Sequence, residues 1–185
     1  MTNQSNLKSL IEGCRQQDRI AQRQLFQMFY KLAMSVAMRY TASMEEAREI
    51  TNDAFFRLFS KMESYNEEMP FQSWLTRVVV FTSIDYYRKY NRHKVPLTPL
   101  DTAVFAETDD NPLEHLSAEE LLALVQQLPP AYRLAINLYA IEGYSHQEIA
   151  SMLGISEGAS KSNLFKARAK FREMIQANKL KRTGL

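Results

Sequence analysis

The chain has 185 residues, with 23 Lys and Arg against 21 Asp and Glu and a formal net charge of +2 at pH 7. A hydrophobic fraction of 45% with 24% charged residues is typical of a globular protein and excludes a disordered or fibrous one. No apolar stretch reaches the roughly 20 residues of a membrane-spanning helix, and the N-terminus lacks the apolar segment of a secretory signal. We therefore expect a cytoplasmic protein without membrane insertion.

A catalytic or metal-binding function has no support in the residue pattern. The single cysteine, Cys14, excludes an internal disulfide, and no Cys/His group has the spacing of zinc ligands. No nucleophile, base and orienting residue stand in a recognisable arrangement, and no glycine-rich phosphate loop occurs. The sequence predicts no catalytic residue, no metal site and no cofactor, which disfavours an enzyme.

Five glycines and six prolines are few for this length, and they divide the chain into long segments with helical periodicity. Apolar residues recur at spacings of three and four from about Asp18 to Tyr40, which predicts a helix with one buried face. The same pattern predicts a second helix from Glu45 to Met62, and a third segment begins after Pro70.

The third segment, residues 71–94, mixes basic and aromatic side chains with one acidic residue, Asp85. Its β-branched run at 78–82 could form a strand, but the flanking period is helical and no partner strand is evident, so we predict a helix. Basic residues can follow a phosphate backbone while aromatic rings stack on unpaired bases, which suits melted DNA. Aromatic residues at helical spacing are more often core, and this alternative stays open. The candidate DNA contacts are Arg77, Phe81, Arg88, Lys89 and Arg92.

Residues 91–116 lose the helical period, and from residue 95 to residue 132 the chain has seven acidic residues and no Lys or Arg. We therefore predict a flexible acidic linker at 95–116, which DNA would repel and which could occupy a basic channel in a partner. After the linker, Ser117 and Glu120 have the spacing of a capping box, which predicts the start of a further helix.

The most specific pattern lies at 145–168. Ser145 and Glu148 have capping-box spacing, Gly154 stands where a left-handed residue ends a helix, and Ser156 can cap the next helix. A cap, a turn glycine and a basic second helix in this order indicate a helix-turn-helix.

The second helix of such a unit projects its first turns into the DNA major groove. Lys161 and Lys166 can reach phosphates there, and Asn163 can pair with a base edge. Residues 156–185 carry eight basic and two acidic residues, and this net charge of +6 would attract a polyanion. The alternative is a helical hairpin whose charged face is merely solvated.

These motifs together resemble the extracytoplasmic-function subfamily of bacterial RNA polymerase sigma factors, over about residues 24–174. The stretches that carry the resemblance are 46–59 for the polymerase-binding helix, 71–75 and 85–88 for the promoter-melting helix, and 128–133, 142–150 and 158–168 for the carboxy-terminal DNA reader. The resemblance implies an all-α fold of two helical modules joined by the flexible acidic linker. The second module would be a helix-turn-helix of the winged-helix-like, sigma region 4 type. The implied division is 1–94 for a region 2-like module, 95–116 for the linker and 117–185 for a region 4-like module.

The resemblance further implies that the chain binds core RNA polymerase and directs promoter-specific initiation. Glu49, Asn52 and Asp53 would face the clamp helices of the β′ subunit, and the β subunit would also be contacted. The loop 64–70, with the helix after it, would hold a flipped base of the minus-ten element. The implied contacts with the minus-thirty-five duplex are Arg133, Lys161, Ser162, Asn163, Phe165 and Lys166.

An anti-sigma protein is also implied as a partner. Phe81 stands where relatives often have Asn, seven positions after Trp74, so either the usual polar pocket wall is absent or the base preference is altered. The alternative function is a stand-alone helix-turn-helix regulator that binds duplex operators and uses its amino-terminal module for dimerisation or ligand sensing. Association with core polymerase distinguishes the two.

Overall fold

The computed structural model describes the backbone of residues 2–90 and 117–183 and the side chains of residues 6–90 and 117–178. Within these ranges all regular structure is helical and no strand occurs. The predicted all-α class is confirmed there, the run 78–82 is helical, and the helix-turn-helix has no β-wing among the described residues. The predicted linker and Arg92 lie outside the described residues.

The contacts divide the chain into two compact units, Met1–Tyr86 and Tyr87–Leu185. The first unit contains α1 (Thr2–Arg15), α2 (Arg19–Met38), α3 (Met44–Ser60), a 3-10 turn (Met62–Ser64) and α4 (Phe71–Tyr90), whose last turn counts with the second unit. The predictions of α2, α3 and α4 are confirmed to within about two residues at the predicted ends. The helix α1 has no counterpart among the sequence-based predictions.

Local capping explains where α2 and α3 begin. Asp18 Oδ1 accepts a hydrogen bond from the Ile20 N–H across 2.8 Å, and Ser43 Oγ accepts one from the Glu46 N–H across 3.2 Å. These side chains satisfy N–H groups that have no partner within the helix. Pro70 stands immediately before α4, where its missing N–H costs nothing.

The core of the first unit takes one apolar stripe from each of α2, α3 and α4, and its most buried members are Leu25, Ile50, Phe55, Leu58 and Leu75. An aromatic cluster joins α2 to the start of α4, with ring centroids 4.9 Å apart for Phe29 and Phe71 and 4.9 Å apart for Tyr65 and Trp74. The core alternative for the third segment therefore holds for Phe71, which is 3% exposed, but not for Phe81, which is 36% exposed.

The second unit contains α5 (Ala118–Gln127), α6 (Pro130–Ile136), a π-helical turn that continues it (Asn137–Ile141), α7 (His146–Leu153) and α8 (Glu157–Thr183). Both predicted capping boxes are present, Ser117 with Glu120 and Ser145 with Glu148. Gly154 has φ 64° and ψ 43°, a left-handed conformation that ends α7. The predicted helix-turn-helix is thereby confirmed as α7, turn and α8.

The second unit has its own core, in which Leu128, Leu138, Ile149 and Ile175 are almost completely buried. Among the helices of the described residues, none is both long and apolar enough to cross a membrane. The same residues contain no group of three or more His, Cys, Asp or Glu side chains placed to hold a metal ion.

Candidate protein and nucleic-acid interfaces

The helix α8 buries one stripe and leaves the predicted DNA contacts outside it. Ser160, Leu164 and Ala167 form the buried stripe, at 1%, 5% and 0% exposure. The predicted contacts that are exposed or half-exposed are Lys161, Ser162, Asn163, Phe165 and Lys166. The structure therefore brings these five residues together on the first turns of the second helix of the helix-turn-helix.

Two of these residues already suggest how the surface could work. Lys161 Nζ lies 2.7 Å from Glu157 Oε1 one turn earlier, and both side chains are about half exposed. An exposed pair of this kind is worth at most about 1 kcal/mol, so a phosphate can displace the carboxylate. Phe165 is 37% exposed and offers an apolar ring of the kind that contacts a thymine methyl group.

Arg133 is the one predicted DNA contact that the described structure removes from the surface. It is 3% exposed. Its guanidinium donates to the carbonyl oxygens of Val125, Gln126 and Leu128 across 3.2, 2.7 and 2.9 Å. These carbonyls lie at the carboxyl end of α5, where a positive charge is favourable, and the Val125 oxygen also accepts the Leu128 N–H. The structure therefore gives no support to Arg133 as a minus-thirty-five contact, because its side chain is buried and its Nε and Nη2 donate inside the unit.

The start of α8 is held to α7 by a polar and aromatic cluster. His146 Nδ1 lies 3.0 Å from Ser160 Oγ, and the His146 ring stacks on Tyr139 with centroids 4.6 Å apart. The Arg168 guanidinium lies over the Tyr139 ring, 5.8 Å from its centroid. Burial, and then the positive charge of Lys161, lower the pKa of His146 from its ordinary value. The cluster therefore favours a neutral imidazole that holds the second helix in position.

On α4, Arg77, Phe81 and Arg88 share one stripe by helical spacing and are all exposed. The Arg77 guanidinium lies 5.7 Å from the Phe81 ring centroid, within range of a cation–π contact. Lys89 is also exposed, and its Nζ lies 4.8 Å from the Tyr90 ring centroid. The helix thus presents guanidinium and ammonium groups beside aromatic faces, the combination that binds unpaired bases.

The predicted protein contacts on α3 also come together. Glu49, Asn52 and Asp53 are exposed and lie at spacings of three and four, while Ala47, Ile50, Ala54 and Leu58 are buried on the opposite side. The same exposed face carries Phe56, which is 75% exposed. Aromatic rings are enriched at protein interfaces, so an exposed ring of this size is a candidate anchor for a protein partner. The sequence-based prediction missed Phe56. The helical period places Phe55 on the buried stripe, but it does not show that the neighbouring Phe56 is exposed to water.

The loop 64–70 is anchored by one of its own residues, Tyr65, whose side chain is buried. Its hydroxyl donates to the Met69 carbonyl oxygen across 2.6 Å, and its ring lies against Phe71 and Trp74. Burial raises the pKa of Tyr65, so the hydroxyl stays protonated as a donor. A cavity of ≈ 250 Å³ opens beside this loop, with Ile11 of α1 among its lining residues.

Several curated proteins are similar to this chain over most of its length. The ECF RNA polymerase sigma factor SigE of Mycolicibacterium smegmatis is 29% identical over 76% of this chain and 56% of its own length. The ECF RNA polymerase sigma-E factor of Escherichia coli is 26% identical over 95% of this chain and 97% of its own length. The ECF RNA polymerase sigma factor SigM of Bacillus subtilis is 27% identical over 78% of this chain and 91% of its own length.

Two family models match the chain in the order of its two units. The model described as Sigma-70 region 2 covers residues 25–93, and the model described as Sigma-70, region 4 covers residues 118–171. Together they cover well over half of the chain. The chain belongs to the extracytoplasmic-function family of RNA polymerase sigma factors.

Solved structures similar to this sigma factor include the sigma factor RpoE in complex with the anti-sigma factor NepR from Bartonella quintana. That match has 18% identity and a TM-score of 0.49, and it covers 83% of this chain and 96% of the other.

The described parts of this sigma factor contain two features that the sequence-based site prediction did not include. One is the aromatic residue on the α3 face, Phe56, and the other is α1, which precedes the region 2 match at residue 25. The apolar residues Leu10, Ile11 and Cys14 of α1 are buried, which shows that α1 packs on the rest of the first unit. Their spacing of three and four is the signal from which α1 could have been found.

Proposed function

We propose that this sigma factor binds core RNA polymerase and directs promoter-specific transcription initiation, without an active site of its own. The observation that carries the proposal is that one chain has both an exposed acidic and aromatic face on α3 and a basic helix-turn-helix. The order of these surfaces is that of the two matched sigma regions. A stand-alone regulator needs only the helix-turn-helix. The proposed site of action is the cytoplasm.

The proposed polymerase contact is the α3 face, with Glu49, Asn52 and Asp53 against the clamp helices of the β′ subunit and further contact with the β subunit. The exposure of these side chains supports this role, since an interface needs donors and acceptors that the fold leaves available. Phe56 would contribute most of the apolar area, and the acidic residues would provide charge selectivity around it.

The region 2-like module, proposed as residues 1–94, would recognise and melt the minus-ten element. Arg77, Arg88, Lys89 and Arg92 would follow the strand backbone, while Phe81 stacks on an unpaired base. The loop 64–70 would hold a flipped base, whose unstacking costs a few kcal/mol that pocket contacts must offset. The cation–π arrangement of Arg77 and Phe81 supports this role because it orients the ring for stacking before DNA binds.

The region 4-like module, proposed as residues 117–185, would read the minus-thirty-five element as duplex DNA. Five side chains on the first turns of α8 would make the contacts, namely Lys161, Ser162, Asn163, Phe165 and Lys166. The left-handed Gly154 and the bond between His146 and Ser160 support this role because they fix the angle at which α8 leaves α7.

An anti-sigma protein is proposed as a second protein partner, because regulation by such proteins is common in the family. The acidic segment 95–116 is proposed as the linker that connects the modules when polymerase is bound. It carries no Lys or Arg and would follow a basic channel of the polymerase rather than DNA.

The proposal is tested by running the purified chain with core polymerase on a sizing column. Co-elution is expected, and Asp53→Arg should weaken it because the substitution reverses a charge at the centre of the α3 face. Glu63→Arg is the matched control, since it makes the same charge change on an exposed residue of the 3-10 turn. Failure of the wild-type chain to co-elute, with tight duplex binding by the chain alone, would favour the stand-alone regulator. Unchanged association of Asp53→Arg would reject the α3 face.

A further inference from the structure

The first helix, α1, packs closely on the rest of the first unit. It packs against α2 and the 3-10 turn, and Leu10, Ile11 and Cys14 are buried at 6%, 3% and 1% exposure. A Cβ placed on Gly13 would lie only 2.7 Å from the Ala21 Cβ, so glycine is what permits the close approach of α1 to α2. This fit fixes the position of the last turn of α1.

From that last turn, Arg15 reaches the loop 64–70. Its Nη1 donates to Glu67 Oε1 across 2.9 Å, and its Nη2 donates to the Tyr65 carbonyl oxygen across 3.4 Å. Glu12, one turn earlier, lies 3.4 Å from the same Nη1 and helps to orient the guanidinium. The Arg15 side chain is 23% exposed, so the contact is partly shielded from water. The hydrogen bond to Glu67 raises the pKa of Arg15 above its ordinary value.

The loop is therefore held from two sides at the same residue. Arg15 donates to the Tyr65 carbonyl from the α1 side, and the Tyr65 ring packs on Trp74 on the α4 side. The Tyr65 hydroxyl donates to the Met69 carbonyl within the loop itself. Within the loop, Asn66 Oδ1 also accepts the Glu68 N–H across 2.9 Å. A shift of Arg15 would release one side of Tyr65 and change the shape of the loop without opening the core.

We propose that α1 braces the loop 64–70, with Arg15 as the positioning residue, and that this brace sets base selectivity at the minus-ten element. The inference rests on the proposed function, in which this loop holds a flipped base. It goes beyond it because α1 lies outside the matched region 2, which begins at residue 25. Arg15 acts through the loop backbone and does not itself contact DNA.

The test uses holoenzyme reconstituted from the full chain and core polymerase, on a promoter library randomised across the minus-ten element. Arg15→Met is expected to reduce discrimination between the preferred base and the others at one position by about two- to fivefold, the equilibrium factor of a partly exposed ion pair. Its polymerase affinity and thermal midpoint should stay at the wild-type values. Lys8→Met is the matched control, because it removes a positive charge from the same helix and cavity and leaves the Arg15 bonds intact.

A second pair of variants separates bracing from a general structural role. Glu67→Gln is expected to reduce discrimination at the same position. The double variant should discriminate no worse than Arg15→Met, because both substitutions remove the same ion pair between Arg15 and Glu67. An Arg15→Met profile like that of Lys8→Met overturns the inference and leaves the proposed function standing. So does a uniform loss at every position with a lowered thermal midpoint. Absence of any minus-ten preference in wild-type holoenzyme overturns both.

Discussion

Arg57 of α3 and Asp85 of α4 form an ion pair in the first unit, with 2.6 Å between Nη1 and Oδ2. Arg57 belongs to the helix proposed to bind polymerase, and Asp85 is the single acidic residue of the helix proposed to bind melted DNA. The pair therefore joins the two functional helices and places a positive charge beside the one carboxylate that would repel a phosphate. Both side chains are nearly half exposed, at 42% and 46%, so its contribution to stability is small.

The expected effect of breaking this pair is asymmetric. Arg57→Met should weaken promoter melting because the Asp85 carboxylate loses this counter-charge on the stripe proposed to face DNA, whereas Asp85→Asn should leave melting unchanged or improve it. The double variant should recover what Arg57→Met loses. Each single change should lower the free energy of unfolding by less than about 1 kcal/mol. Permanganate footprinting of the open complex measures melting, and equal losses for both single variants would show that the pair acts only through stability.

A second prediction concerns the exposed ring on α3. Phe56→Ala should weaken association with core polymerase by about 2 kcal/mol, the cost of truncating an aromatic hot spot. The matched control is Ile20→Ala, because Ile20 is 69% exposed on α2 and Phe56 is 75% exposed on α3. Neither change should move the thermal midpoint. Competition for core polymerase against a labelled sigma factor measures the affinity, and equal affinities of the two variants would remove Phe56 from the interface.

Local sequence signals predicted the helix-turn-helix well, and long-range contacts explain what they missed. Ser145 with Glu148 and the left-handed Gly154 act within one turn of their own position, so their roles could be read from spacing. Arg133 lies beside a predicted DNA reader in sequence, but it bonds carbonyls five to eight residues earlier, at the end of α5, and this contact depends on how α6 turns back towards α5. Arg15 and Glu67 are 52 residues apart, and no periodicity reports such a pair.

A third prediction concerns the stacking surface on α4. Phe81→Ala should reduce open-complex formation, because base–aromatic stacking is worth about 1–3 kcal/mol per base. Met28→Ala is the control, because it truncates an apolar side chain on α2 that is 42% exposed, close to the 36% of Phe81. A 2-aminopurine probe in a single-stranded minus-ten oligonucleotide should lose fluorescence on binding the wild-type chain as holoenzyme and keep it with Phe81→Ala. Equal quenching by both would show that no base stacks on this ring.

A fourth prediction follows from the burial of Arg133. Arg133→Met should lower the free energy of unfolding of the second unit by about 2–4 kcal/mol, since three carbonyl oxygens lose a charged donor in a buried place. Arg133→Lys should restore only part of this, because one ammonium cannot reproduce the fork of the guanidinium. The single tryptophan, Trp74, lies in the first unit, so its fluorescence reports that unit separately. An early transition in far-UV circular dichroism without a change in fluorescence is the expected result. Loss of DNA affinity with unchanged unfolding would return Arg133 to the DNA surface.

The last prediction is a pH dependence of the second unit that comes from His146. Its pKa in the folded chain is lowered from 6.5 by burial and by Lys161, with Glu157 opposing and Arg168 adding to the shift. The unfolded chain therefore binds a proton more readily than the folded one, so stability is complete above pH 6.5 and is lost as the pH falls through the folded pKa. The melting temperature of the second unit should fall between about pH 7.5 and pH 5.5, a window above the ordinary pKa of carboxylates. His146→Gln can still bond Ser160 but cannot titrate, so its melting temperature should be nearly constant across the window. An equal slope in this variant would assign the pH dependence to other groups.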